Sequence, residues 1–280
     1  MGDYLQPTNL NDALAALAGR RLTVLAGGTD IYPARVGKPF DEDILDISRI
    51  DGLRGIDERD DHFRIGALTT WSDLRAANLP PMFDGLRQAA REIGGVQVQN
   101  SGTIGGNICN ASPAADGVPP LLTLDAKLET ASVRGTATIP VEKFIISNRQ
   151  TRRAEDEIVT AIRVPKTGGE TASTFLKLGA RRYLVISIAM VAAVLARGED
   201  GNVASARIAV GSCSAKAQRL RLLERALVGQ PVTRALADIA EPAHLSRLAP
   251  IDDVRGTAEY RLDAALTLLR RALTTLGETA

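Results

Sequence analysis

Apolar residues along this chain come in two textures: short continuous runs, and stretches where they recur every three or four positions. TNLNDALAALAG (8–19) predicts a helix capped by Thr8 and ended by Gly19, with Leu10, Ala13, Leu14 and Leu17 on one face. RLTVLA (21–26) predicts a strand; GGTD follows, and IYPARVGK predicts a helix start in which Pro33 suits the first turn. DILDIS (43–48) predicts a second strand, so 1–50 reads as a small β-α-β-like unit. LRGIDERDDHFRIGALTT (53–70) predicts two strands around a charged turn at 59–61, after which Thr70 caps a short helix, WSDLRAA. MFDGLRQAAREIGG (82–95) predicts a helix stopped at Gly94 or Gly95. A hairpin turning at Arg134-Gly135 is expected over 127–144, and a strand over 156–165 closed by Pro165.

KTGGE (166–170) is the natural linker. Beyond it STFLKLG, VISIAMVAAVLA and NVASARIAVGS predict three strands, the last two joined by the turn RGEDGN. From about residue 218 the pattern turns helical, and three helices are expected. The last, EYRLDAALTLLRRALTTLGE, puts Leu262, Leu266, Leu269, Leu273 and Leu276 on one face. Strands followed by helices predict α+β packing rather than a doubly wound parallel sheet.

Composition narrows the function. With 34 basic and 33 acidic residues and no basic block, the chain is a poor nucleic-acid binder. Cys109 and Cys213 fit neither a metal site nor a disulfide framework, which favours a reducing, cytoplasmic setting. The N-terminus lacks a secretory pattern, and the longest apolar run, ISIAMVAAVLA (186–196), is too short to span a bilayer.

Candidate chemistry concentrates in two glycine-rich stretches. LAGGTD (25–30) runs from a strand through Gly27-Gly28 toward a helix start, where small residues let a phosphate approach unpaired main-chain N–H groups. NSGTIGGNICNASPAAD (100–116) is expected to present successive N–H groups over Thr103, Ile104, Gly105, Gly106 and Asn107 as an anion nest. Ser112 and Pro113 then cap and open a helix with Asp116 in its first turn. Asp116 either favours the helix dipole or accepts hydrogen bonds from sugar or ribityl hydroxyls. Either stretch alone is compatible with an ordinary turn; together they point to a diphosphate held between them. No G-x-G-x-x-G follows the first strand, no Walker A sequence is present, and His62 and His244 make no metal site or catalytic triad.

LAGGTD and TIGGNICNASPAAD resemble the flavoprotein (medium) subunits of molybdenum hydroxylases, the xanthine dehydrogenase and carbon monoxide dehydrogenase type. The resemblance continues through DEIVTAIRVP, FLKLGARR and EYRLDAALTLLRRAL and covers nearly the whole chain. It implies an FAD-binding domain of the vanillyl-alcohol-oxidase (PCMH) type over 1–165, with a small part at about 1–50 and a larger one at 53–165, and a C-terminal α+β domain over 171–280. By the same resemblance Leu25, Ala26, Gly27, Gly28, Thr29 and Asp30 match the first pyrophosphate loop, and 103–107 the second. Asp116 matches the carboxylate on cofactor hydroxyls, Ile93 and Val159 match apolar contacts to FAD, and Lys177 matches a basic contact. Without the resemblance Ile93 and Val159 read as core residues and Lys177 as a solvated lysine on a strand. Tyr183 is a candidate ring-side residue.

The function implied is electron transfer from iron–sulfur clusters through FAD to NAD, oxygen or a quinone, with no catalytic residue and no metal ligand in this chain. The implied partners are a small two-iron, two-sulfur subunit and a large molybdopterin subunit, assembled as a dimer of heterotrimers. The alternative is a self-sufficient flavin oxidase of the same fold, for which Cys109 is the one candidate tether beside the second loop.

Overall fold

The computed structural model describes residues 2–37 and 41–279. Its first part comprises β1 (Tyr4–Leu5), α1 (Leu10–Gly19), β2 (Thr23–Leu25) and β3 (Ile44–Asp46), with the strands in a parallel sheet ordered β1-β3-β2. The cap of α1 is Asn9 rather than Thr8: its side-chain oxygen accepts the Asp12 amide at 3.0 Å, and its amide donates back to the Asp12 carboxylate at 2.7 Å. Ala13, Leu14 and Leu17 pack with Leu45 and Ile47 in the core of this lobe. The helix expected from Ile31 is only a 3₁₀ turn, Pro33–Arg35, with no side-chain cap and with Gly37 leaving it at φ +75°. Lys38, at the end of that expected helix, lies outside the described residues.

The second part runs through β4 (Ile56–Glu58), β5 (His62–Gly66), α2 (Trp71–Ala76), α3 (Asp84–Glu92), α4 (Val96–Ser101), α5 (Ile104–Asn110) and α6 (Val118–Thr123). It continues with β6 (Lys127–Ser132), β7 (Gly135–Pro140), α7 (Val141–Phe144), β8 (Ile145–Ser147), β9 (Gln150–Thr151) and β10 (Ile158–Pro165). Five of these strands form an antiparallel sheet ordered β4-β5-β10-β6-β7. Thr70 caps α2 in a capping box with Asp73, and α3 stops before Gly94, whose φ is +54°. In the β6–β7 hairpin Ser132 pairs with Gly135, so the turn is Val133-Arg134, one residue earlier than expected.

The helix expected at Ser112 is a second correction. The helix begins at Ile104, because the Thr103 hydroxyl caps it by accepting the Gly106 amide at 3.1 Å. It ends at Ala111, which is left-handed at φ 48°. Ser112 instead turns the chain by accepting the Ala114 amide, and the next helix waits until Val118.

The C-terminal part holds β11 (Glu170–Leu178), β12 (Ala189–Arg197), β13 (Val203–Gly211), β14 (Gln218–Arg219), α8 (Arg221–Leu227) and α9 (Ala258–Thr279). The sheet is antiparallel in chain order, with β14 as a fourth strand beyond the three expected. The expected middle helix is two 3₁₀ turns, Arg234–Ile239 and Pro242–Leu245, in a stretch where Pro231 and Pro242 each remove a backbone donor. Strand β12 is buried on both faces. Val191, Ala193 and Leu195 pack with α9, while Met190, Ala192 and Val194 pack toward the N-terminal parts. The buried face of α9 is Arg261, Ala264, Ala265, Leu268, Leu269, Ala272, Leu273 and Leu276; Leu262 and Leu266 sit at its rim.

Candidate cofactor site

Leu25 ends β2 beside Asp46 of β3, and the glycine-rich loop leaves from there, at the carboxyl end of a parallel sheet. Leu25 itself is core. Gly27 lies so close to the Ser101–Gly102 backbone that a Cβ would sit on the Ser101 carbonyl oxygen. Gly28 has φ +69° and its Cβ would meet the Tyr32 ring at 2.5 Å, so both positions require glycine. Asp30 accepts a hydrogen bond from Asn110 at the end of α5, and Arg149 donates to Asn110 at 2.5 Å with its guanidinium 3.9 Å from Asp30. The two glycine-rich stretches are thereby locked to one another.

Their amides differ. Among the described residues, the N–H groups of Gly27, Gly28, Thr29 and Asp30 donate to no chain acceptor. The nest expected over 103–107 does not form. The Ile104 and Gly105 amides go to the Thr69 and Ala67 carbonyls, Gly106 to the Thr103 hydroxyl and Asn107 to the Thr103 carbonyl. These donors close the helix start onto the segment before α2 instead of facing a ligand.

What the second stretch does present is an open surface at Gly106, where a Cβ would meet only Thr103 Oγ at 2.9 Å. It also presents Asn107, whose side-chain oxygen is buried with no hydrogen-bond partner among the described residues. A buried acceptor without a donor costs about 1–3 kcal/mol, and a cofactor hydroxyl would relieve it. Asn107 adjoins Gly117, whose Cβ would stand 2.9 Å from Asn107 Oδ1. Gly117 in turn follows Asp116.

Asp116 is buried, with Lys177 Nζ donating to one carboxylate oxygen at 2.5 Å and Ser187 Oγ donating to the other at 2.5 Å. Burial pushes its carboxyl above the usual range, and the Lys177 charge and the two hydrogen bonds offset this only in part. Lys177 is thus not a solvated strand lysine. It pairs across to Met190 on the face of β11 turned toward the N-terminal parts, and it also donates to the Glu92 carbonyl at 3.3 Å. Ile93 follows Glu92 and packs half-buried on the core. An open cleft of about 410 Å³ adjoins the pair, lined by Glu92, Lys177, Gly179, Arg181 and Val185. A further cleft of about 370 Å³, lined by Phe63, Met82, Lys166 and Thr171, contains none of these site residues.

An arc therefore runs from Gly27–Asp30 past Gly102, Gly106 and Asn107 to Asp116 and Lys177. Ile104 and Val159 stand behind it in the core. Tyr183 is exposed, with Arg182 over its ring at 5.1 Å. Asn110 is one of the asparagines of the second glycine-rich stretch, whereas nothing local marks Arg149 or Ser187. Desolvation raises the half-buried Cys109 thiol to about 11, which disfavours its thiolate.

Residues 1–167 match the family model described as the FAD binding domain in molybdopterin dehydrogenase, and 174–276 match the CO dehydrogenase flavoprotein C-terminal domain. This chain belongs to the FAD-binding medium-subunit family of the molybdenum hydroxylases. It is 31% identical to the nicotine 6-hydroxylase medium subunit of Paenarthrobacter nicotinovorans, over 98% of this chain and 96% of that one. Identity to the carbon monoxide dehydrogenase medium chain of Hydrogenophaga pseudoflava is also 31%, over 97% and 95%. The reconstituted CO dehydrogenase from Oligotropha carboxidovorans superposes with a TM-score of 0.91 at 29% identity, covering 100% of this chain and 99% of that one. As a medium subunit of this family the chain carries an FAD-binding domain and is part of an oxidoreductase. The residues present fit that cofactor: the unengaged amides of the first loop suit a phosphate, and the unpaired Asn107 oxygen suits a hydroxyl. Among the described residues no helix is long and apolar enough to cross a membrane.

Proposed function

We propose that this medium subunit relays electrons from the two-iron, two-sulfur clusters of a small partner through FAD to NAD, oxygen or a quinone. Hydroxylation of the organic substrate takes place on a large molybdopterin partner, and the cytoplasmic assembly is a dimer of heterotrimers. In this reading 1–165 is the FAD-binding domain and 171–280 the C-terminal domain. The observation that carries it is the locking of Gly27 and Asp30 onto Ser101 and Asn110, which leaves the first loop's amides and the Asn107 oxygen without chain partners.

Gly27, Gly28, Thr29 and Asp30 hold the pyrophosphate by main-chain N–H groups, with Leu25 and Ala26 fixing where the loop leaves the sheet. Gly106 gives close approach, and Asn107 binds a hydroxyl. Thr103, Ile104 and Gly105 shape the helix start that carries them. Ile93 and Val159 supply apolar backing. Asp116 and Lys177 stand at the flavin end. When bound, FAD supplies the redox chemistry; the chain positions it, excludes water and sets the electrostatics.

The test is purification with and without the partner chains. The isolated chain should bind FAD reversibly, release it on acid precipitation, and accept electrons from an artificial donor. It should not turn over purines, aldehydes or N-heterocycles. Turnover of such a substrate by the isolated chain without molybdenum would contradict the reading.

A further inference from the structure

The Asp116–Lys177 pair joins the two halves of the molecule: Asp116 lies between α5 and α6, and Lys177 lies on β11. Each side chain is only 6% exposed. Both carboxylate oxygens are engaged, one by Lys177 and one by Ser187, and the ammonium also meets the Glu92 carbonyl at the C-terminal end of α3. The open cleft beside the pair is lined by Lys177 and not by Asp116, so Lys177 is the member of the pair that borders that space.

We infer that Asp116 is a positioning residue that acts on the flavin through Lys177: it holds the ammonium at the cleft wall and neutralises it, so that the ring meets a paired cation rather than a bare one. This rests on the FAD reading above. Each carboxylate oxygen keeps a lone pair, so a cofactor hydroxyl can still be accepted; the inference concerns the carboxylate's charge. Reduction of the ring by two electrons and one proton, supplied by dithionite and water in a titration, adds one negative charge. A bare cation on a side chain this little exposed favours that reduced state more than a neutral pair does. Ser187 supports the arrangement by stabilising the carboxylate from the loop that follows Gly179.

A cycle of variants in the full FAD-loaded chain, read as the flavin midpoint potential, tests this. Asp116→Asn leaves the Lys177 ammonium held by the Glu92 carbonyl beside the open cleft, which keep it protonated, and should shift the oxidised–reduced equilibrium at least tenfold toward reduced flavin, about 30 mV upward for a two-electron couple. Lys177→Met should shift it downward. In the Lys177→Met background Asp116 has lost its cation; a buried carboxyl without a partner takes up a proton, so Asp116→Asn should then add no shift. Ser187→Ala leaves both charged groups in place and serves if Asp116→Asn does not fold. It weakens the carboxylate form, shifts the potential in the same direction by a smaller factor, and likewise loses its effect without Lys177. A shift of equal size in both backgrounds, or none in the Lys177 background, would overturn the inference. Failure of the unsubstituted chain to take up FAD would remove the underlying cofactor reading instead.

Discussion

Gly105 and Gly106 are neighbours under opposite constraints. A Cβ at Gly105 would stand 2.7 Å from both the Cβ and the carbonyl oxygen of Ala67, while one at Gly106 would meet only the Thr103 hydroxyl. Gly105→Ala should therefore cost stability on the overpacking scale, about 1–3 kcal/mol, visible as a lower unfolding midpoint. Gly106→Val crowds only the Thr103 cap, so it should cost no more than about 0.5–2 kcal/mol of stability, the scale of a lost cap, and abolish FAD binding. Asn107→Ala should weaken FAD by about 1–3 kcal/mol through loss of the acceptor. Flavin titration and thermal unfolding on the same three variants separate the two effects. Unchanged affinity in Gly106→Val would take that glycine out of the site.

Between elements, the seam joining α6 and the turn before β6 to β13, β14 and α8 holds a charged cluster beside its apolar contacts. Arg219 Nη1 donates to the Leu122 carbonyl at 2.9 Å and to Asp125 at 2.8 Å, and Nη2 donates to Glu224 at 3.0 Å. Glu224 also accepts the Ile208 amide at 2.9 Å. Arg219 and Glu224 are both nearly inaccessible to water, so removing the Glu224 charge leaves the buried guanidinium with Asp125 as its remaining carboxylate. Glu224→Gln should cost about 3 kcal/mol in urea unfolding, the lower end for a broken buried pair. A loss under about 1 kcal/mol, the scale of a surface pair, would mean that water screens this seam. Periodicity does not expose such a cluster: Arg219 and Glu224 lie where the pattern turns helical, and charge there reads as solvated until the opposing surface is known.

Across the whole molecule, a half-buried and a buried carboxylate pull the pH dependence of stability in two directions. Burial raises Glu129, but hydrogen bonds from Arg64 and Thr160 and the Arg64 charge outweigh it, so its carboxyl sits below the usual range. Its stabilisation is present above the ordinary Glu value of about 4.3 and is lost as pH falls through the lower folded value. Asp116 is raised, so the folded state binds its proton more tightly. That contribution is complete below about pH 3.9 and is lost as pH rises through the folded value. Unfolding free energies measured from about pH 3 to pH 7 should show this directly. Relative to the unsubstituted chain, Glu129→Gln should flatten the rise with pH and Asp116→Asn should steepen it. Parallel curves would mean that neither carboxyl titrates differently on folding.

The sequence by itself determined what local chemistry dictates: the cap at Thr70, the apolar strand runs, the turn at 197–202, and the two glycine-rich stretches that need bare backbone. It also carried the family, because those stretches keep their order and spacing over most of the chain. The apolar run of β12 was legible as a strand, but only the tertiary structure reveals why it has no polar side: α9 covers one face and the N-terminal parts the other. The face of α9 was read from its leucines, whereas packing on the sheet turns Ala264, Ala265 and Ala272 inward and leaves Leu262 at the rim, since small residues let the helix approach closely. TIGGN looked like free backbone because two glycines disfavour a helix. Yet the Thr69 and Ala67 carbonyls, more than thirty residues earlier, take up its amides and leave the ligand-facing donors to the first loop. Asp116 and Lys177 were each legible as candidates. Their pairing was not, because an ion pair spanning 61 positions has no local signature and forms only when β11 is laid against the end of α3.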